Sequence, residues 1–235
     1  MSPQPLAFFD VDGTLTTGTT LFRFLRYYLA AQGHRSHVYE QRRQQLKAMT
    51  AVGVSREDTN RAYFANFHNA DAVDMSHLAR AWFKAELARG GFFNGSAVDV
   101  LNRHKARGEA VVIVSGSFPA VLSPLAEHLG VAEVWATAPE ITDGRYTGQL
   151  LRAPMIGKAK VDAARLAASI HRTDLADCYA YGDHLSDLPL LQAVGTPVVI
   201  RGDPRLDEYA QQQRWTVLPG APEPPEIPLG ACIAA

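Results

Sequence analysis

Residues 6–14 read LAFFDVDGT, an apolar run that ends at two aspartates and a glycine. A short apolar run before a turn signal is typical of a buried strand in a parallel sheet. Side chains two residues apart in an extended segment point to the same side, so Asp10 and Asp12 are expected to face one site. Open α/β sheets bind ligands at the carboxyl ends of their strands, which is where this stretch places both carboxylates.

The two carboxylates repel each other and therefore need a cation or a shared proton. A hard divalent ion such as Mg²⁺ is one solution, because it prefers oxygen ligands. The alternative is an ordinary surface turn over residues 10–13, because Asp-Gly pairs are common in turns. The pair alone leaves both interpretations open.

Further apolar runs of the same kind follow along the chain, over residues 110–114, 131–136, 178–181 and 197–200. Helical patterns separate them, as between Pro119 and Gly130 and over the alanine-rich residues 160–170. Strands that alternate with helices predict an α/β fold, a doubly wound and mostly parallel sheet covered on both faces. Residues 145–150 follow a turn signal at 142–144 and predict a small hairpin beside that sheet.

The stretch from Thr19 to Arg107 contains no good strand pattern, and its apolar residues repeat at helical spacing. Ser55 and Asp71 are each followed three residues later by an aspartate, which predicts two helix starts. The pair Gly90-Gly91 predicts a helix stop. We therefore expect a helical insertion between the first and second strands of the sheet.

Polar residues follow the second strand as well. Ser115 and Gly116 come after the strand and before a helix, and a helix N-terminus with free amides and a hydroxyl suits a phosphate group. The alternative for Ser115 is an ordinary helix cap. Residues 157–161 add Lys158 and Lys160, each of which is either a counter-charge for phosphate or a solvated surface lysine.

Two more carboxylates, Asp183 and Asp187, follow the fourth strand and again indicate a hard cation. The alternative is a strand-to-helix loop in which Asp187 stabilises the helix start. Each of these later motifs is weak alone. Their common position, after a predicted strand or at the opening of a helix, makes the combination strong.

Composition limits the function classes. The chain has 235 residues, 47% of them hydrophobic and 20% charged, with a formal net charge of −1. The small net charge disfavours broad binding of nucleic acid or of an anionic membrane. We expect no signal peptide, no integral membrane association and a cytoplasmic location. The cysteines, Cys178 and Cys232, form no disulfide framework.

In this order, the motifs resemble those of the haloacid-dehalogenase superfamily, and more narrowly its phosphoserine-phosphatase-like subfamily IB. The resemblance covers nearly the whole chain. Its four motifs correspond to residues 8–16, 113–117, 157–161 and 181–191. It implies a Rossmann-like core over residues 1–17 and 100–235 and an inserted helical C1-type cap over residues 18–99.

The resemblance also implies a mechanism. Asp10 would attack phosphorus and form an aspartyl-phosphate. Asp12 would protonate the leaving alcohol and then activate the water that hydrolyses the intermediate. Mg²⁺ would be held by the Asp10 carboxylate, the Asp12 backbone carbonyl and Asp183, with Asp187 in support.

The remaining motif residues are implied to bind the phosphoryl group. Ser115 and nearby amides, including that of Gly116, would hold its oxygens, and a lysine would offset its charge. In the subfamily pattern, a glycine stands three residues before this lysine and a valine directly follows it. Gly157 and Val161 fit that pattern for Lys160.

The implied function is a Mg²⁺-dependent phosphatase that acts on a small phosphorylated metabolite. A phosphotransferase or phosphomutase with the same chemistry is the alternative, and a non-catalytic binding protein is a third possibility. The sequence also departs from the pattern, because Thr19 occupies the position of the cap glutamate that receives the amino group of phosphoserine. The fourth motif carries His184 where serine is common. The sequence therefore names no particular substrate and no oligomeric state.

Overall fold

A computed structural model of the chain describes residues 4–222 and residue 224. Within this part, six parallel strands form one sheet in the order β3-β2-β1-β6-β7-β8. Its strands are β1 (Leu6–Phe9), β2 (Ala110–Ser115), β3 (Glu133–Ala136), β6 (Tyr179–Gly182), β7 (Thr196–Ile200) and β8 (Thr216–Leu218). A separate antiparallel hairpin consists of β4 (Pro139–Thr142) and β5 (Arg145–Leu150), as predicted. The predicted α/β fold is confirmed.

Helices cover both faces of the sheet and form the insertion after β1. The insertion contains α1 (Thr20–Ala31), α2 (Ser36–Ala51), α3 (Arg56–Phe64) and α4 (Ala72–Arg89). The layers on the sheet contain α5 (Gly95–Ala106), α6 (Pro119–Leu129), α7 (Lys158–His171), α8 (Leu188–Ala193) and α9 (Pro204–Gln212). We call α1–α4 the helical insert.

The central strand β1 positions the site. Ala7 and Phe9 pack in one hydrophobic layer, and Leu6 and Phe8 pack in the other, so all four residues are buried. β1 pairs with β2 on one side and with β6 on the other. The three carboxyl ends therefore lie side by side, and the residues that follow them meet at one edge of the sheet.

The helical insert has its own helix signals and an aromatic core. The side chains of Ser55 and Asp71 cap α3 and α4, as predicted, and α4 ends at Arg89, directly before Gly90. The aromatic rings of the insert continue into the rest of the molecule, because Phe24 packs on Phe118 with 5.9 Å between ring centroids. This packing stabilises the insert over the sheet edge that carries the site.

The predicted boundary between residues 99 and 100 falls inside α5. This helix packs on β2, and its His104 reaches Tyr181 of β6. Helical spacing alone does not tell which layer a helix joins. The division into core and cap stays a proposal, and these contacts favour a boundary before Gly95.

Three other features complete the description. β8 was not predicted, because three residues are too short for a periodicity signal. No helix in the described residues is long and apolar enough to cross a membrane. The Cys178 thiol is buried and free, and Cys232 lies outside the described residues.

His104 predicts a pH dependence of stability. It is 1% exposed, its Nε2 lies 2.6 Å from the Tyr181 hydroxyl, and its Nδ1 contacts Glu109. Burial lowers the pKa of His104, although the hydrogen bond with Glu109 opposes the shift. The unfolded chain therefore binds this proton at a higher pH than the folded chain does, so the stability that His104 contributes is present above about pH 6.5 and lost below it.

We expect His104→Gln to lower the free energy of unfolding by about 1–2 kcal/mol at neutral pH, through the lost buried hydrogen bonds. The fall in stability between about pH 7.5 and pH 5.5 becomes shallower in the variant, because one linked proton is removed. Urea unfolding across this range measures both effects. The exposed His34→Gln variant is the control, and an unchanged slope in His104→Gln would contradict the assignment.

Candidate active site

The predicted site residues come together around one cavity of about 690 Å³ between the sheet edge and helices α1–α3. Strand β1 directly precedes the first aspartate of the site, and β2 ends at its serine. Strand β6 precedes the two later aspartates, and α7 supplies the lysine. The cavity is lined by all of them: Asp10, Asp12, Ser115, Gly116, Lys160, Asp183 and Asp187.

Lys160 lies at the centre of the acidic residues and is 3% exposed. Its Nζ lies 2.7 Å from Asp10 Oδ1 and 2.6 Å from Asp187 Oδ1. Burial alone would lower the pKa of Lys160, but the two carboxylates raise it above its ordinary value, so the ammonium stays charged. Lys158, the other lysine that the sequence offers, is exposed.

Three carboxylates converge beside this lysine. Ligand oxygens of Asp10, Asp183 and Asp187 lie within 4.8 Å of one another. Burial raises the pKa of Asp10 to about 7, against the opposing effect of Lys160. Burial, and then repulsion by the two other carboxylates, raises the pKa of Asp183 well above its ordinary value. When all three are ionised, these carboxylates carry more negative charge than one lysine neutralises.

The cluster fits a hard divalent cation. Its ligand atoms are all carboxylate oxygens, which is the chemistry that Mg²⁺ prefers. Gly13 leaves room for one of these carboxylates, because a Cβ at this position would lie 2.2 Å from Asp183 Oδ2. Thr14 then orients this carboxylate by donating from Oγ1 to Asp183 Oδ1 at 2.9 Å.

Asp12 has a different environment from Asp10. Its Oδ1 accepts a hydrogen bond of 2.8 Å from the backbone N–H of Thr20, the first residue of α1. Burial raises the pKa of Asp12, although the hydrogen bonds with Thr20 oppose the shift. Two carboxyl groups of one motif therefore differ in their partners, which suits them to different tasks.

The loop of residues 115–117, between β2 and α6, forms the other wall of the site; we call it the phosphate loop. Ser115 is 1% exposed, and its Oγ accepts a hydrogen bond of 3.1 Å from the Ser117 N–H. The Gly116 carbonyl accepts from Asn60 Nδ2 at 3.0 Å and from Thr137 Oγ1 at 2.9 Å. The loop is thus fixed by the sheet and by the insert.

Several residues around the site were not assigned a role from the sequence. Thr14, Thr20 and Thr137 orient the acidic residues and the phosphate loop, and of these three only Thr14 lies inside one of the motifs, the first. The helical insert contributes further lining side chains: Phe22, Lys47, Arg56, Asn60 and Tyr63 are among them. Thr19, directly before α1, also lines the cavity, at the position where the resemblance places the cap glutamate. His184 also lines the cavity, and its Nδ1 accepts from the Ser186 N–H at 2.9 Å.

Comparison with known proteins decides the family. The model of the haloacid dehalogenase-like hydrolases matches residues 7–192, which include every site residue predicted from the sequence. The chain belongs to this family. The predicted membership is therefore confirmed. The predicted enzyme class, a phosphoric monoester hydrolase of the haloacid-dehalogenase (HAD) type, is confirmed as well.

Similarity to individual relatives extends over most of the chain. A probable phosphatase of Mycobacterium tuberculosis is 29% identical over 216 residues, which are 90% of this chain and 74% of the relative. A phosphoserine phosphatase of the same species is 27% identical over 222 residues, or 90% and 69% of the two chains.

Solved structures show the same fold. A protein of unknown function from Bordetella pertussis Tohama I superposes with a TM-score of 0.83 at 26% identity, covering 92% of this chain and 99% of its own. A substrate-bound phosphoserine phosphatase gives a TM-score of 0.67 at 20% identity, covering 93% and 94%. At that identity, the second likeness is one of fold alone.

Proposed function

We propose that this HAD-family chain is a Mg²⁺-dependent phosphatase that hydrolyses a small phosphate monoester through an aspartyl-phosphate on Asp10. One observation carries the proposal: the Asp10 carboxylate, held by Lys160, shares the cavity with a separately held Asp12. The phosphatase relatives from M. tuberculosis support the reaction type. A small phosphorylated metabolite as substrate and a cytoplasmic location belong to the same proposal.

In the first step, an Asp10 oxygen forms a bond to phosphorus, and the bond from phosphorus to the leaving oxygen breaks. Asp12 gives its proton to that oxygen, so the alcohol departs neutral. Burial raises the pKa of Asp12, which favours the protonated form that this step requires. The hydrogen bond from the Thr20 N–H orients the carboxyl group.

In the second step, the Asp12 carboxylate takes a proton from a water molecule whose oxygen attacks phosphorus. The bond between phosphorus and the Asp10 oxygen breaks, which releases inorganic phosphate and restores both side chains. The walls of the cavity around the intermediate come from both the sheet edge and the insert.

The remaining groups stabilise charge. The Ser115 hydroxyl and the Gly116 amide are placed to bind phosphoryl oxygens, and the Lys160 ammonium offsets their charge. Asp10, Asp183 and the Asp12 backbone carbonyl would hold Mg²⁺, with Asp187 supporting Lys160. When bound, Mg²⁺ supplies the positive charge that lets the carboxylates and a phosphate dianion lie together.

The proposal is tested with purified protein and an aryl phosphate. We expect release of inorganic phosphate that requires Mg²⁺ and stops when EDTA is added. With excess alcohol or sugar present, free phosphate remains the product; a phosphorylated acceptor would instead assign a phosphotransferase. Turnover that persists in EDTA would contradict the metal requirement.

Because Thr19 is uncharged, we expect the enzyme to disfavour substrates that carry an amino group. Thr19 lines the cavity, and the described lining residues from the insert include Lys47 and Arg56 but no carboxylate. A substrate ammonium therefore finds no counter-charge on that side. We expect Thr19→Glu to raise kcat/KM for phosphoserine by about tenfold, because a charged hydrogen bond is gained.

Phosphate release from phosphoserine, compared with release from an uncharged aryl phosphate, measures this change. Thr19→Gln is the matched control, since it has the same length without the charge. An equal gain in the glutamine variant, or no gain in the glutamate variant, would contradict the role of charge at this position.

A further inference from the structure

Asn60 joins the helical insert to the phosphate loop. It lies on α3, is 8% exposed, and donates from Nδ2 to the Gly116 carbonyl at 3.0 Å. Its Oδ1 is buried and has no hydrogen-bond partner among the residues that the structure describes. Leaving an acceptor buried and unpaired costs about 1–3 kcal/mol. The side chain is thus kept at the cavity wall at a cost in stability.

The Gly116 carbonyl does not need Asn60 for its hydrogen bonding. Thr137 Oγ1 also donates to it, at 2.9 Å, and is itself held by the Met155 N–H at 3.1 Å. A carbonyl oxygen with one good donor is satisfied. The hydrogen bond from Asn60 is therefore not needed to satisfy the Gly116 carbonyl. Its effect is to fix the direction of this carbonyl.

Orientation of this carbonyl matters because the peptide group is planar. The Gly116 C=O and the Ser117 N–H belong to one plane, so a fixed carbonyl also fixes the direction of the N–H. That N–H donates to Ser115 Oγ at 3.1 Å. The hydroxyl hydrogen of Ser115 must point away from the N–H, which leaves it to donate to a group in the cavity that Ser115 lines.

A second contact between the insert and the phosphate loop behaves differently. Thr20 Oγ1 donates to Ser117 Oγ at 3.2 Å, but Thr20 is only the first residue of α1 and is tied to Asp12. Asn60 lies 40 positions further along the insert, as the residue numbers show. The hydrogen bond from Asn60 to Gly116 forms only when α3 lies close to the phosphate loop. The position of the insert therefore decides whether this bond holds the loop.

We propose that Asn60 is a positioning residue, through which the helical insert aligns the Ser115 hydroxyl with the phosphoryl group. The proposal rests on the proposed phosphatase function. When α3 lies over the cavity, Asn60 holds the Gly116 peptide and the hydroxyl is aligned. When α3 moves away, only the Thr137 bond remains and the alignment is lost.

Asn60→Leu tests the proposal, because leucine has a similar size and removes both the donor and the unpaired acceptor. We expect the free energy of unfolding to stay equal or rise. KM for an aryl phosphate and the inhibition constant of inorganic phosphate rise together by about tenfold, while kcat changes by less than about threefold. Asn60→Ala gives the same comparison if the leucine variant does not fold.

Arg80→Gln is the matched control. Arg80 on α4 makes a bidentate contact with Glu127 on α6, at 2.7 Å for each bond. It therefore also connects the insert to the sheet layers, but neither residue lines the cavity. We expect its KM and phosphate inhibition constant to equal those of the wild type. A parallel loss in Arg80→Gln would show that any contact of the insert matters and would overturn the role of Asn60.

The outcomes separate the two proposals. If the wild-type protein releases no phosphate in the presence of Mg²⁺, the proposed function is wrong. If the wild-type protein is active but Asn60→Leu has the same inhibition constant for inorganic phosphate as the wild type, only the role of Asn60 is wrong. Thr137→Val combined with Asn60→Leu is expected to lose more than the sum of the single variants, because the Gly116 carbonyl then has neither side-chain donor.

Discussion

Asp10→Asn is expected to reduce the hydrolysis of an aryl phosphate by about 10⁴-fold or more, as removal of a nucleophile does in other enzymes. The amide oxygen still accepts from Lys160 Nζ, which lies 2.7 Å from Asp10 Oδ1, so the geometry of the site persists. The amide is a far weaker nucleophile than the carboxylate. Initial rates with saturating Mg²⁺ measure the loss.

The fold of this variant should not suffer. Because burial raises the pKa of Asp10 to about 7, the charged carboxylate is disfavoured in the fold, and a neutral amide of the same shape removes that cost. Thermal unfolding checks this point. Asp162→Asn, at an exposed position on α7, is the control and keeps full activity. Residual turnover above a hundredth of the wild-type rate in Asp10→Asn would contradict a nucleophilic role.

Asp183→Asn is expected to make the metal-free protein more stable and the metal-loaded protein less active. The pKa of Asp183 is raised in the fold, so the stability linked to its neutral form is present at low pH and is lost as pH rises. At about pH 8 the buried charge costs stability, and its removal is worth about 1–2 kcal/mol. The amide oxygen can still accept from Thr14 Oγ1.

Added Mg²⁺ should reverse the order of stability. At about one hundred times its dissociation constant, a bound ion stabilises the wild type by about 2.7 kcal/mol. Asp183→Asn gains little, because it lacks one ligand of the cluster. Urea unfolding with and without Mg²⁺ measures the difference. An equal gain from Mg²⁺ in both proteins would show that Asp183 holds no metal.

The fold and the centre of the site followed from local patterns. A buried strand that ends at Asp10 and Asp12 already fixes a sheet edge, and Ser115 and Asp183 follow neighbouring strands by the same logic. The parallel pairing of β2 and β6 with β1 then brings them together. These predictions needed only the rule that parallel strands end at one edge.

The contacts of the insert could not be predicted in this way. Asn60 meets Gly116 across 56 positions of sequence, and nothing in its helical surroundings distinguishes it from a surface asparagine. Thr137 sits between two strands and carries no motif. The predicted boundary inside α5 rests on the same kind of local signal, since its helical spacing is compatible with either layer. Tertiary packing, rather than local pattern, decides these positions.

The most direct measurement is a search for a phosphoryl group on Asp10 during turnover. The protein is mixed with substrate and Mg²⁺, quenched in acid after milliseconds and digested. The mass of the peptide that contains residues 6–14 is then measured by mass spectrometry. We predict one added phosphoryl group that hydroxylamine removes and that Asp10→Asn lacks. Phosphate production without any modification of this peptide, under conditions that preserve acyl phosphates, would contradict the account.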